Sequence, residues 1–309
     1  MTDPFAPFVA RRGAAILDGG LASELEARGV DLSGELWSAA ALLDRPEAIA
    51  AVHRAYLEAG ADVIETATYQ ASIPGFLARG LAPGDAARAL VSGAALAIRE
   101  RDAFWSLRTD RSRARPLVAA SVGPYGAFLA DGSEYRGDYR VGVDALAEWH
   151  RPRLRVVEDS GVDLIAFETL PSLDEVRSIS RLLAESDGPP AWISFQARDG
   201  ATLADGASIE DAAAIAERSP RVVAVGVNCV APSLVVPLLA RIAASTGKPL
   251  VAYPNRGGTW DAASRSWGPV ADEPSWTALA PAWRAAGARL IGGCCRTTPV
   301  DIHAIAAAL

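Results

Sequence analysis

Cysteine is scarce in this sequence: Cys229 and the adjacent pair Cys294 and Cys295 are the only three in 309 residues. So small and odd a number in a long chain does not build the disulfide framework of a secreted mini-domain. Positive charge is also short, with 30 Lys and Arg against 37 Asp and Glu and a net charge of −7. Binding nucleic acid needs a basic footprint, so no nucleic-acid partner is expected. No apolar run is long enough to span a membrane. The apolar stretch after Arg11 and Arg12 is too short for a signal peptide. Histidine is as rare as cysteine, and His53, His150 and His303 all fall in helix-like segments, where an outer-surface or helix-packing role is expected. Without a positioned histidine, a Ser-His-Asp hydrolase is disfavoured. These absences predict a cytoplasmic protein with reduced thiols and no membrane partner.

What the chain does have is apolar bulk: half of its residues are hydrophobic, enough for a large buried core. Short apolar runs recur with helical segments between them. They are "AAILDGG" (14–20), "ADVIETATYQ" (61–70), "LVAASVGPYG" (117–126), "DLIAFETLP" (163–171), "AWISFQA" (191–197), "VVAVGVNCV" (222–230), "PLVAYPNRGG" (249–258) and "ARLIGGCC" (288–295). Their near-continuous apolar character suits parallel strands buried on both faces. Helical patterns lie between them at 49–60, 173–186 and 209–219, and several stop at a glycine. Eight βα units predict an α/β fold: a (β/α)8 TIM-type barrel with a closed eight-stranded parallel sheet, a single domain over 1–309. An open doubly wound sheet would call for a G-x-G-x-x-G loop after the first strand, which "DGGLAS" is not.

Two stretches depart from this rhythm. The Arg-rich segment 101–116 reads as an exposed helix end and a solvated connection to the third strand. The Trp-bearing segment 256–276 reads as a long loop after the seventh strand, on the face where barrel enzymes carry functional lids.

Barrel chemistry sits at the C-terminal strand ends. In this sequence those ends carry Asp18, Glu65, Thr66, Thr68, Ser121, Glu168, Gln196, Asn228, Cys229, Asn255, Cys294 and Cys295. All three cysteines therefore converge on one face, which scattered inert core thiols would not do. Adjacent cysteines bridge only with strain, so a disulfide is not the expected use. Three thiolates without a fourth ligand suit a zinc site with one position open. Such a complex is a poor Lewis acid for water but a good holder of a substrate thiol. Gly292 and Gly293 give the backbone room to turn both neighbouring side chains toward one ion. Thiol alkylation is the chemical class these residues favour.

At this point a resemblance enters. The pieces "LDGGLASELEARG", "LWSA", "GADVIETATYQAS", "SVGPYGAFLADGSEYRGDY", "FETLP", "GVNC", "YPNRGG" and "GGCCRTTP" resemble the zinc-dependent homocysteine S-methyltransferases over nearly the whole chain. The resemblance implies one Zn²⁺ per chain on Cys229, Cys294 and Cys295. It implies homocysteine as the methyl acceptor, its amino group held by Asp18 and Glu168. Gly19, Thr68 and Asn228 join them as substrate-binding candidates. Gln70 stands where the betaine-using branch has Tyr, so the motifs are more similar to the branch that uses S-methylmethionine or S-adenosylmethionine. A sulfonium donor calls for π faces and a carboxylate. Trp37, Tyr69, Gln70, Tyr125, Glu134 and Asn255 are the donor-binding candidates. Arg256 departs from the pattern, and is expected to point outward or to engage a donor carboxylate. Another donor, another thiol or selenol acceptor, or a zinc-binding barrel without chemistry are the alternatives.

Overall fold

In the computed structural model the described residues are 3–32, 38–110, 112–258, 260–261, 266–270 and 274–309. Each of the eight apolar runs contains a strand: β1 (Ala15–Ile16), β2 (Val63–Glu65), β3 (Leu117–Val122), β4 (Leu164–Leu170), β5 (Ala191–Phe195), β6 (Val222–Asn228), β7 (Leu250–Tyr253) and, last, β10 (Ala288–Ile291). A small hairpin, β8 (Trp260–Asp261) and β9 (Ser266–Trp267), interrupts the series after β7. The eight form one parallel sheet in the order β1-β10-β7-β6-β5-β4-β3-β2. A parallel bridge from Leu17 to Val63 joins its two ends into the expected barrel.

Two apolar layers explain why the strands are hydrophobic on both faces. Inside the barrel, small Ala15, Ala119, Ala166 and Ala224 alternate with bulky Trp192, Tyr253 and Leu290. Such small-and-large interleaving lets the interior close-pack. A Cβ on Gly226 would lie 1.8 Å from the Val251 carbonyl oxygen, so only glycine lets β6 and β7 approach there. Outside, the strands' other faces pack on the helices through residues such as Ile16, Ile64, Ile165, Ile193 and Val227. Phe5 and Phe8, beside and within the first helix (Ala6–Arg12), pack with the interior residues at the strands' N-terminal ends. That end of the barrel is thereby plugged, leaving the opposite one for a site.

The helix signals read from sequence act as expected. Helix Pro46–Ala59 opens on proline and stops at Gly60, whose φ of +114° suits glycine. The Ser172 hydroxyl caps Leu173–Ala184, and a Thr298–Asp301 capping box opens Pro299–Ala308. Among the described residues, no helix is long and apolar enough to cross a membrane. His53 and His150 are buried on helices, as packing residues would be.

The segment 101–116 corrects the expectation of a solvated connection. Arg101 and Arg113 are both buried. Arg101 pairs with Asp163 at 2.7 Å, and Arg113 with Asp62 at 3.0 Å. Those aspartates in turn accept strand-opening amides, Asp163 from Val118 N–H and Asp62 from Ile16 N–H. Each arginine neutralises a carboxylate that satisfies backbone donors at the plugged end of the barrel. Composition alone cannot distinguish this use of arginine from a solvated one. Arg115 and Ser112 in the same stretch are exposed, as expected.

Candidate active site

The cysteines are placed by three strands. Cys229 follows β6, with a φ of +53° that swings its side chain away from the strand direction. Its N–H donates to the Tyr253 carbonyl on β7. Cys294 and Cys295 follow β10, where Cys294 N–H donates to Pro254 O and Arg256 N–H donates to Cys295 O. A Cβ on Gly293 would lie 2.3 Å from Thr297 Oγ1, and one on Gly292 2.6 Å from Leu17 Cβ. The two glycines are thus required for close approach rather than for an unusual φ. The three Sγ atoms lie within 4.8 Å of one another, with Cys229 2.8 Å from Cys294 and 3.3 Å from Cys295. Hydrogen bonds from Cys229 and Cys294 hold the Cys295 thiol well below its usual pKa. Hydrogen bonding to its two neighbours, with burial, pushes Cys294 well up. Three thiols this close cannot all ionise unless a cation joins them.

Beside the sulfurs stands an acidic wall. Asp18, Glu65 and Glu168 project from β1, β2 and β4 into the same cavity of about 330 Å³. Asp18 Oδ2 accepts the Glu65 N–H at 2.8 Å. Glu168 accepts from the Ser121 hydroxyl and, at 3.4 Å, from Asn228 Nδ2. Burial pushes all three carboxyls up, Glu168 to about 7. Glu134 is also raised to about 7 by burial. With Glu26, five carboxyl groups line the cavity, and no Lys, Arg or His does so among the described residues. Such a cavity selects cations.

Sequence comparison then decides the family. The homocysteine S-methyltransferase profile matches residues 15–309. The chain is 45% identical to the homocysteine S-methyltransferase YbgG of Bacillus subtilis, covering 94% of this chain and 93% of the relative. It is 44% identical to the Escherichia coli homocysteine S-methyltransferase, covering 99% and 98%. The crystal structure of E. coli homocysteine methyltransferase MmuM in its metallated form superposes with a TM-score of 0.88 at 42% identity, covering 98% of this chain and 99% of that one. The chain belongs to the homocysteine S-methyltransferase family. It is therefore a methyltransferase of TIM-barrel architecture, in a family one of whose members has been crystallised with metal.

In this homocysteine S-methyltransferase fold, the candidate residues fall into two groups. Lining the cavity are Asp18, Gly19, Glu168, Tyr69, Glu134 and the three cysteines. A Cβ on Gly19 would lie 2.7 Å from Thr297 Oγ1, so the chain passes tightly beside Thr297. Behind the wall are Thr68, Asn228 and Asn255. Thr68 Oγ1 donates to Ser121 O at 2.7 Å. Asn228 accepts from Thr169 N–H and donates to Thr169 Oγ1, tying β6 to the end of β4. Asn255 Nδ2 donates to Cys229 O and its Oδ1 accepts Gly257 N–H. Farther off, Gln70 donates to Ala127 O, and Tyr125 packs among Phe128, Tyr139 and Trp149. Neither lines the cavity. Trp37 lies outside the described residues. Arg256 turns outward and pairs with Asp301 at 2.6 Å.

Several lining residues were given no site role from sequence, among them Glu65, Tyr135, Trp260 and Trp267. Glu65 was legible as a strand-end carboxylate but received no site role. Tyr135, whose hydroxyl is 3.9 Å from Cys229 Sγ, sits in a 3-10 turn with no strand-end signal. Trp260 and Trp267 belong to the loop read as a lid, whose hairpin no pattern announced.

Proposed function

We propose that this enzyme transfers a methyl group from S-methylmethionine to the sulfur of homocysteine, forming methionine, with one Zn²⁺ held by Cys229, Cys294 and Cys295. The observation that carries this reading is the placing of three thiols within 4.8 Å, in a cavity that five carboxyl groups also line. The donor set fits the ion: all sulfur, three ligands and room on the cavity side for a fourth. When bound, zinc lowers the pKa of the substrate thiol and so makes its sulfur nucleophilic near neutrality.

The chain's own residues supply the rest. Asp18 and Glu168 receive the homocysteine ammonium, and Gly19 lets the chain beside them pass close against Thr297. Asn228 and Ser121 hold the Glu168 carboxylate in position. Glu134 and Tyr69 offer a carboxylate and a π face to the sulfonium. In the transfer a new S–CH3 bond forms on homocysteine as the donor's S–CH3 bond breaks, its electron pair staying on the donor sulfur. The departing thioether is neutral and needs no general acid, which suits a cavity lined by no histidine. Acceleration comes chiefly from holding the two sulfurs in line. A cavity of about 330 Å³ accommodates two amino-acid-sized ligands, the pairing that transfer from S-methylmethionine requires. With that donor, both products are methionine.

The residues of the site come from strands spread between residues 15 and 291, so we take 1–309 as one functional unit. A cytoplasmic setting, with its reducing thiol poise, suits a site that works through free cysteines. The test incubates zinc-loaded protein with homocysteine and each donor in turn, measuring methionine. Product with S-methylmethionine is expected; none with any donor overturns the reading.

A further inference from the structure

Two tryptophans at the cavity have no part in the reading above. The antiparallel hairpin pairs Trp260 directly with Trp267, and both half-buried rings line the cavity. Their centroids are 5.5 Å apart with planes inclined at 54°, so they form a corner rather than a stack.

The hairpin is pinned to the segment that bears two of the cysteines. Arg296, directly after Cys295 and at a φ of +67°, donates through Nη1 to Gly257 O at 3.3 Å and Gly268 O at 3.2 Å. Gly258 has a φ of +82°, and a Cβ there would lie 2.7 Å from Gly268 O, so the hairpin base closes only around glycine. Arg256 is likewise committed, its side chain to Asp301 and its N–H to Cys295 O. Both cations flanking the hairpin therefore face carbonyls or a carboxylate, and the cavity wall keeps its five carboxyl groups without a basic residue among those described.

We propose that Trp260 and Trp267, together with Tyr69, present the aromatic faces that receive the donor's sulfonium cation, and thereby set which methyl donors are accepted. The inference rests on the sulfonium-donor reading of the same site. Indole has the strongest π face among side chains for a diffuse cation, and a half-buried corner of two indoles desolvates it from two sides. The attraction is also self-cancelling. As the donor's S–CH3 bond breaks and the electron pair stays on its sulfur, the positive charge disappears, and the neutral thioether loses its hold on the rings. At the transition state the donor sulfur still carries much of that charge, so removing the contact raises donor KM and lowers kcat/KM while kcat stays near the parent value.

The test uses full-length, zinc-loaded protein with S-methylmethionine as donor. Trp260→Leu and Trp267→Leu are each expected to raise donor KM about tenfold, from the usual strength of such contacts. Homocysteine KM and bound zinc should stay at their original values, and the phenylalanine replacements should stay within about threefold. Donor KM within about twofold of the parent in both leucine variants overturns the proposal, as does a rise shared equally by homocysteine. A binding measurement guards against poor folding of the variants. Indole fluorescence of the unsubstituted protein should respond to S-methylmethionine and not to uncharged-sulfur methionine, and W260F/W267F should lose that response. Equal responses to both ligands also overturn it. Methionine formation by the unsubstituted protein reports on the reaction and donor KM in the variants on the tryptophans, so the two claims fail separately.

Discussion

Glu65 holds Asp18 through its backbone: the Glu65 N–H donates to Asp18 Oδ2 at 2.8 Å, while its own carboxyl stands beside Glu168. One residue thus aims one carboxylate of the proposed ammonium site and crowds the other. Because the three acids come from β1, β2 and β4, barrel closure itself brings them together.

If Asp18 and Glu168 share the homocysteine ammonium, removing either charge weakens binding without disturbing the thiols. Glu168→Gln keeps the shape and the Ser121 contact but loses the charge-assisted bond. Homocysteine KM should rise about 10- to 100-fold, the usual worth of one hydrogen bond to a charged group. Zinc stoichiometry should hold. Steady-state kinetics with metal analysis checks this, and an unchanged homocysteine KM would count against the ammonium role.

The raised carboxyls give the metal-free, substrate-free protein a signed pH dependence. Glu168 and Glu134 are each lifted to about 7, chiefly by burial. A carboxyl whose pKa is higher in the folded state favours folding while protonated, fully so below about 4.5, its ordinary value. That contribution is lost as pH rises through about 7. Thermal stability of the metal-free protein should therefore fall between pH 5 and 8. Glu134→Gln should flatten the profile, as shown by thermal unfolding across that range. Parallel profiles for parent and variant would mean Glu134 is already ionised at pH 5.

Metal binding and stability should be linked through the cysteines. An ion that binds the folded chain at a thousand times its Kd stabilises it by about 4 kcal/mol. Zinc should raise Tm of the parent protein, and a chelator should reverse the rise. Cys295→Ser should lose most of that shift together with the activity. A serine variant with full zinc occupancy and full rate would remove Cys295 from the ligand set.

How much of this was legible depends on how local the cause is. The barrel was readable because apolar runs and strand spacing are local, and the cysteines because a strand end fixes where the next residue faces. Reach beyond the strand end was not readable. Gln70 is taken by Ala127 O and Tyr125 by Tyr139 and Trp149, partners distant or unmarked in sequence. Arg101 and Arg113 were misread for the same reason: their aspartates lie 62 and 51 residues away. The Trp260–Trp267 pairing was hidden because a two-residue strand carries no periodicity.

Arg113 supplies the sharpest test of stability apart from activity. Its guanidinium is 6% exposed and the Asp62 carboxylate it contacts 1% exposed, at the barrel end opposite the site. It also donates to the Gly60 and Ala61 carbonyls. Arg113→Ala leaves Asp62 buried, with only the Ile16 N–H bonded to its carboxylate among the described residues. Breaking a buried pair in this way costs about 3–5 kcal/mol. Asp62→Asn combined with Arg113→Met removes the orphaned charge and should recover part of the loss. Because neither residue touches the cavity, kcat and both KM values of the folded fraction should match the parent. Denaturant unfolding alongside kinetics separates the two effects, and a single variant as stable as the parent would show that Asp62 tolerates burial alone.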